Sequence, residues 1–322
     1  MVKVGSKIDE VRIDGKLKLL RQDLNHFAGL GLEAVELPVH GLDAIVHGRL
    51  NRARVTEIKS ILRDFSFTYS IHAPNPLNLM DRRYGALHFH VFRASLEFAS
   101  EIGSGILVYH AGRFVPEEDF SIPGYAEFTE AERTSLLDGE ASALRDLADE
   151  FPDVVICVEN ARPYLYHSPY CYAEYPEKLK EQVSRIARPN VRVNLDTGHL
   201  FMAARYYDFD PVDAAENLCG LIAHSHVHDN FGHAIYHNEK KQTHLVPFGR
   251  GDAHMPVGWG EIPLKSMIET FSDAYNGMMI MELRSRYFEF TGDSMIHLRE
   301  ILDQATRKDR GSLEELQAVP CL

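Results

Sequence analysis

Six residues scattered along the chain, His72, His110, Glu159, Asp196, His226 and Glu282, are of types that bind divalent cations, and each ends a short apolar run of strand character. Three more candidates lie in connecting segments. His199 follows Asp196 within VRVNLDTGHL, and Asp252 and His254 stand two apart in GRGDAHMPVGWGEIP, a spacing that puts both side chains on one side of an extended segment. Glycines at 249, 251, 258 and 260 let that segment turn tightly. The cysteines, Cys157, Cys171, Cys219 and Cys321, form no CxxC pair, so nitrogen and oxygen ligands rather than thiolates are expected, and with them zinc or manganese.

Each candidate has an ordinary reading as well. His72 and His110 suit a satisfied core, Glu159 a salt bridge and Glu282 a buried hydrogen-bonded acid. Asp196 suits a helix cap, and the 249–260 segment suits a polar surface loop. Their shared position at strand ends is what argues for a site.

The elements that would bring them together are legible as a repeating pattern. Strands are expected near Val2–Val4, Ala34–Leu37, Phe67–Ile71, Ile106–Tyr109, Val154–Val158, Val191–Leu195, Leu221–Val227 and Met278–Met281. Each precedes a helical pattern, such as Leu17, Leu20, Leu24 and Phe27, or Leu87, Val91, Ala94 and Phe98, or Met295, Leu298 and Leu302. Eight strand-helix units favour an α/β fold of the (β/α)8 TIM-barrel kind, since no GxGxxG turn follows the first strand to suggest a doubly wound sheet. All strand C-termini of such a barrel open on one face, which would gather the six residues at one mouth. No linker composition divides the chain, so one domain is expected over 1–307, with a loosely attached tail at 308–322.

Composition narrows the partners. The chain carries 47 acidic against 34 basic residues, a formal charge of −13, which opposes nonspecific binding to phosphate backbones or anionic membrane. Duplex DNA is therefore not an expected partner. The start, MVKVGSKIDE, has no signal-peptide core, and no apolar run approaches membrane-spanning length, so a soluble cytoplasmic protein is expected; oligomeric state is left open.

The motifs IHAPNPLNL, VYHAG, VEN, LDTGH, HVHDN, DAHMPVGWGEI and MEL follow one another as in the xylose isomerase-like TIM barrels, and the likeness spans roughly residues 30–285. That superfamily contains type IV apurinic endonucleases and many sugar isomerases and epimerases. The resemblance to the endonuclease branch implies up to three zinc ions. His72, His110 and Glu159 would surround one, and Glu159 would bridge to a second held by Asp196, His226 and Glu282. His199, Asp252 and His254 would hold a third. The isomerase branch would use the Glu159, Asp196, His226 and Glu282 set for a single ion. Asn75 stands in HAPNP where the endonucleases tend to carry an inserting aromatic, which argues against DNA repair.

Two enzyme classes follow from this reading, beside a barrel that binds a ligand without turnover. The leading expectation is a metal-dependent hydrolase of a small phosphodiester or other phosphorylated, nucleotide-like molecule. Arg113, Arg162 and Arg284 would grip phosphate, with Asn75 and Tyr164 beside them. The alternative is a sugar isomerase or epimerase in which Glu159 and Glu282 exchange a proton with carbon. Two enlarged segments, ARPYLYHSPYCYAEY and DNFGHAIYHNEKKQTHLVPF, would either cover the substrate or pack on the barrel rim. Metal stoichiometry separates the enzyme classes, near three for the hydrolase and near one for the isomerase.

Overall fold

Strands alternate with helices throughout the computed structural model, which describes residues 2–121, 128–239 and 245–317. The barrel strands are β1 (Lys3–Lys7), β2 (Ala34–Pro38), β3 (Thr68–His72), β4 (Ile106–His110), β5 (Val155–Glu159), β6 (Val191–Asp196), β7 (Ile222–Val227) and β8 (Met278–Met281). They pair in sequential order, all parallel, and β8 returns to β1 to close the sheet. This is a TIM barrel. Every expected strand is present, with boundaries shifted by at most three residues, the most at the end of β1.

The helices form by the spacing the sequence displays. Leu17–Leu30 turns Leu20, Leu24 and Phe27 inward and ends at Gly31, whose φ of 74° suits a left-handed cap. Gly85–Ile102 buries Phe92, Ala94, Leu96 and Phe98 in the same layer. Each fully buried phenylalanine there contributes roughly 1.5–3 kcal/mol of transfer free energy. The last helix, Thr291–Gln317, buries Met295 and Leu298 and runs past position 307.

Inside the barrel the two ends differ. The lower end is filled by Ala34, Met278 and Ile280, with Ile106 packed against them. A Cβ on Gly5 would lie 2.4 Å from the Ala34 carbonyl oxygen and 2.7 Å from Ile280 Cδ1, so only glycine lets β1 pass there. Above this plug the inward positions turn polar: Glu36, Ser70, Asn194 and His224 are buried, and the metal-ligand types sit above them.

The two enlarged segments meet. Tyr164–Leu165 pairs in parallel with Ile235–Tyr236, tying the segment after β5 to the one after β7. Residues 240–244 of the latter, and Cys321, lie outside the described residues. Most of the tyrosines in the first segment pack on the rim: Tyr164, Tyr170 and Tyr172 are buried and Tyr175 lies against Tyr207, whereas Tyr166 is exposed. Among the described residues no helix is long and apolar enough to cross a membrane.

Candidate metal centre

The mouth is built in depth from the strand ends. Glu36, buried in β2, accepts hydrogen bonds from Ser70 Oγ (3.0 Å) and His224 Nε2 (2.9 Å) and lies 2.9 Å from His226 Nε2. Burial alone would raise its carboxyl, but the neighbouring His226 and His224 outweigh burial and hold it well below the ordinary range. With Nε2 of His226 facing this carboxylate, Nδ1 faces upward, 3.2 Å from Glu282, 3.4 Å from Glu159 and 3.9 Å from Asp196. A carboxylate behind an imidazole fixes which ring nitrogen is offered to a metal.

Glu159, Asp196, His226 and Glu282 thus present donor atoms within 4.8 Å of one another. Burial pulls the His226 imidazole down, yet Glu36, Glu282 and Glu159 together hold it well above its ordinary value. Asp196 does two jobs: Oδ1 accepts from the His199 backbone N–H (2.7 Å) and caps the helix Thr197–Tyr207, while Oδ2 remains beside His226. The helix cap and the candidate metal ligand are the same residue.

His72, His110 and Glu159 form an adjoining group. His72 Nδ1 donates to the Ala73 carbonyl (2.7 Å), so its buried Nε2 points inward, 3.9 Å from Glu159, without a hydrogen-bond partner. Burial keeps both imidazoles neutral, His110 most strongly. A further group joins His199, Asp252 and His254 with His228. His254 Nε2 lies 2.8 Å and His199 Nε2 3.3 Å from Asp252 Oδ2, and the His228 ring stacks on His254 at 4.0 Å. Gly198 makes room for His228, since a Cβ there would come within 2.0 Å of its ring.

The first two groups fit a divalent cation. Their donors are imidazole nitrogens and carboxylate oxygens, and His72 Nε2 and Glu159 Oε1 are buried without hydrogen-bond partners.

Sequence reasoning passed over several members of the mouth. Lys7, at the end of β1, donates to Glu282 Oε1 and lies 3.7 Å from Glu10. Asn194 Nδ2 donates to Glu159 Oε2 (2.9 Å) and approaches His226 Nδ1 (3.1 Å). Glu36 and His228 were passed over as well, and of all these only His228 carried a usable signal, as the second histidine of HVH, two positions beyond a strand-end candidate.

A cavity of about 670 Å³ opens over the mouth, lined among others by Lys7, Asn75, His110, Glu159, His199, Asp252 and Glu282. Arg113, Arg162 and Arg284 reach it, but their guanidiniums are engaged. Arg113 donates to the carbonyls of Asn75 (3.0 Å) and Leu77 (2.9 Å), and Arg284 donates to that of Asp252 (2.7 Å). Arg162 donates to Tyr164 Oη (2.9 Å) and to His199 Nε2 (3.0 Å). Tyr164 stands behind Arg162, outside the cavity lining.

The profile of the xylose isomerase-like TIM barrels matches residues 24–314. The chain belongs to that family. A D-tagatose 3-epimerase-like protein superposes with a TM-score of 0.70 at 21% identity, covering 95% of this chain and 99% of its own. An L-ribulose 3-epimerase gives 0.68 at 12% identity with 100% of both chains covered. The 3-keto-D-glucoside 4-epimerase from E. coli gives 0.66 at 14% identity, covering 93% of this chain and 100% of its own. No curated protein sequence matches the chain significantly.

These likenesses correct the expectation of phosphoester hydrolysis, because the similar family members are sugar epimerases. The local physical reason is that the guanidiniums expected to grip phosphate already donate to backbone carbonyls, Tyr164 and His199. Counting ligand types in the sequence does not reveal those internal partners.

Proposed function

We propose that the chain is a divalent-metal-dependent isomerase or epimerase acting on a small sugar or sugar derivative. The observation that carries this reading is the convergence of Glu159, Asp196, His226 and Glu282, with donor atoms within 4.8 Å, under a cavity of about 670 Å³. These four residues would hold one zinc or manganese ion, which when bound would polarise a sugar carbonyl and its neighbouring hydroxyl.

The chain's own groups supply the remaining chemistry. Glu159 and Glu282 flank the same imidazole nitrogen at 3.4 and 3.2 Å, so both carboxylates reach a substrate seated above it. One would remove a proton from the carbon beside the carbonyl and the other would return one. His110, kept neutral by burial, lines the cavity on the Glu159 side and can exchange hydrogen bonds with sugar hydroxyls, with His72 buried beneath it. Both carboxylates, those of Glu159 and Glu282, lie largely buried at the floor of the cavity.

The test is solvent exchange. Protein loaded with Mn(II) or Zn(II) is incubated in D2O with a panel of ketopentoses and ketohexoses and followed by NMR. The expected result is deuterium at the carbon next to the carbonyl of at least one sugar, with appearance of its epimer or isomer. Absence of exchange across the whole panel, in protein shown to carry metal, would refute the reading.

A further inference from the structure

The cluster of His199, Asp252 and His254 has the composition of a metal site, yet one of its nitrogens is already spoken for. His199 Nδ1 lies 3.1 Å from the Asn160 carbonyl and 3.2 Å from Glu159 Oε1, and its Nε2 lies 3.3 Å from Asp252 Oδ2. Arg162 Nη1 lies 3.0 Å from that Nε2, so a guanidinium already occupies the space in front of it. The same Nη1 lies 3.4 Å from Asp252 Oδ2, the oxygen on which His199 and His254 converge.

A metal shared by His199 Nε2 and Asp252 Oδ2 would have to displace the Arg162 guanidinium or sit beside its fixed positive charge. Arg162 is also poorly placed to leave. It is buried to 15% side-chain exposure, its Nη2 donates to Tyr164 Oη (2.9 Å), and that hydroxyl lies 3.4 Å from Glu117.

We propose that Arg162 is a tethered cation that takes the place of a metal ion in the His199, Asp252 and His254 cluster. The positive charge facing the cavity at that point belongs to the chain and does not exchange with solution. Arg162 acts here as a positioning residue, holding His199 and Asp252 in one arrangement while leaving the ion at Glu159, Asp196, His226 and Glu282 unaffected. The inference concerns occupancy and stands whether or not the sugar reaction is found, since it is read from metal counts.

The experiment counts metal by mass spectrometry after reloading metal-free protein with Zn(II) and, separately, Mn(II), in four forms: wild type, Arg162→Met, Asp252→Asn and the double variant. Arg162→Met is expected to bind one more equivalent than wild type, because the ring edge of His199 and the Asp252 oxygen that Arg162 covers are released together. Asp252→Asn alone is expected to leave the wild-type count unchanged, and adding it to Arg162→Met should remove the extra equivalent. A loss of one equivalent in Asp252→Asn would overturn the proposal, since it would show metal already bound there. So would an unchanged count in a folded Arg162→Met protein. If that variant does not fold, the Asp252→Asn count still decides.

Discussion

Two glutamates face each other across the mouth and keep different company. Glu282, on the β8 side, receives a hydrogen bond from the buried Lys7 and has His226 and His254 nearby. Burial pushes its carboxyl up, but Lys7 and these histidines overcome burial and hold it well below the ordinary range. Glu159, on the β5 side, has no lysine or arginine among its close partners in the described residues; it accepts from the Asn194 amide and lies among imidazoles, 3.2 Å from His199 Nδ1. The lesson is that the pair is not symmetric: Glu282 is backed by a fixed ammonium from β1, and Glu159 by an amide and imidazoles.

The sharpest way to break this comparison is to neutralise each in turn. Glu159→Gln is expected to lower kcat for sugar proton exchange by about 10²–10⁴-fold, the usual weight of a general acid-base group, while the protein still binds metal, though more weakly. Glu282→Gln is expected to lose the metal itself. Steady-state rates beside metal counts check both, and equal metal loss in the two variants would show that the sides are equivalent.

Lys7→Met tests the β8 side from behind. Removing one partner of a buried pair leaves the other charge uncompensated, which costs about 3–5 kcal/mol. The metal-free variant should unfold at correspondingly lower denaturant, and bound metal should restore part of the loss, because a cation then sits beside Glu282. No recovery on metal addition would separate Lys7 from the site.

A smaller effect is expected one layer down. Glu36→Gln keeps the shape of the barrel interior but removes the carboxylate behind His226, and should weaken metal binding by about 10–100-fold. The readout is competition with a metal indicator. An unchanged affinity would mean that His226 needs no orienting partner.

Proton release sharpens the contrast further. His226 is held above its ordinary value in the metal-free protein, so its contribution to stability is present below the unfolded histidine value and is lost as pH rises through the raised one. His72 and His110 are depressed, so theirs is present above the unfolded value and lost as pH falls through the lowered ones. Around pH 7 metal must displace a proton from His226 but none from His72 or His110, and metal affinity should rise with pH. Proton release on Zn(II) addition should drop by about one in His226→Gln and persist in His72→Gln. The smallest effect belongs to the rim: Tyr166→Ala, at an exposed position, should change stability by less than about 0.5 kcal/mol and leave metal affinity untouched.

The barrel was readable because its pattern is redundant. Val191, Val193 and Leu195 alternate, glycines break the helices where they should, and β/α units repeat around the sheet, so small errors of boundary do no harm. The strand-end donors were readable for the same reason: parallel strands bring their C-termini together whatever the loops do. Lys7 and Glu36 were harder, because a lysine or glutamate in a strand reads as an exposed residue until closure shows that position to face the interior. The hydrolase expectation failed at a finer level. Residue types announce which groups could bind metal or phosphate, but the direction of the Arg113, Arg162 and Arg284 guanidiniums depends on carbonyls and hydroxyls that only the fold positions.

The pairing of β8 with β1 also has a kinetic meaning. Lys7 and Glu282 are 275 positions apart, and the strands that carry them are the last to be joined in chain order. Such a contact carries a high loop-closure cost and forms late unless the intervening units have already docked. A chain still emerging from the ribosome would hold His72, His110 and Glu159 well before Glu282 exists, so the four-donor cradle cannot capture a metal during synthesis of the first units. If the four donors hold a metal as proposed, its choice is deferred to the closed barrel, whose geometry does the selecting.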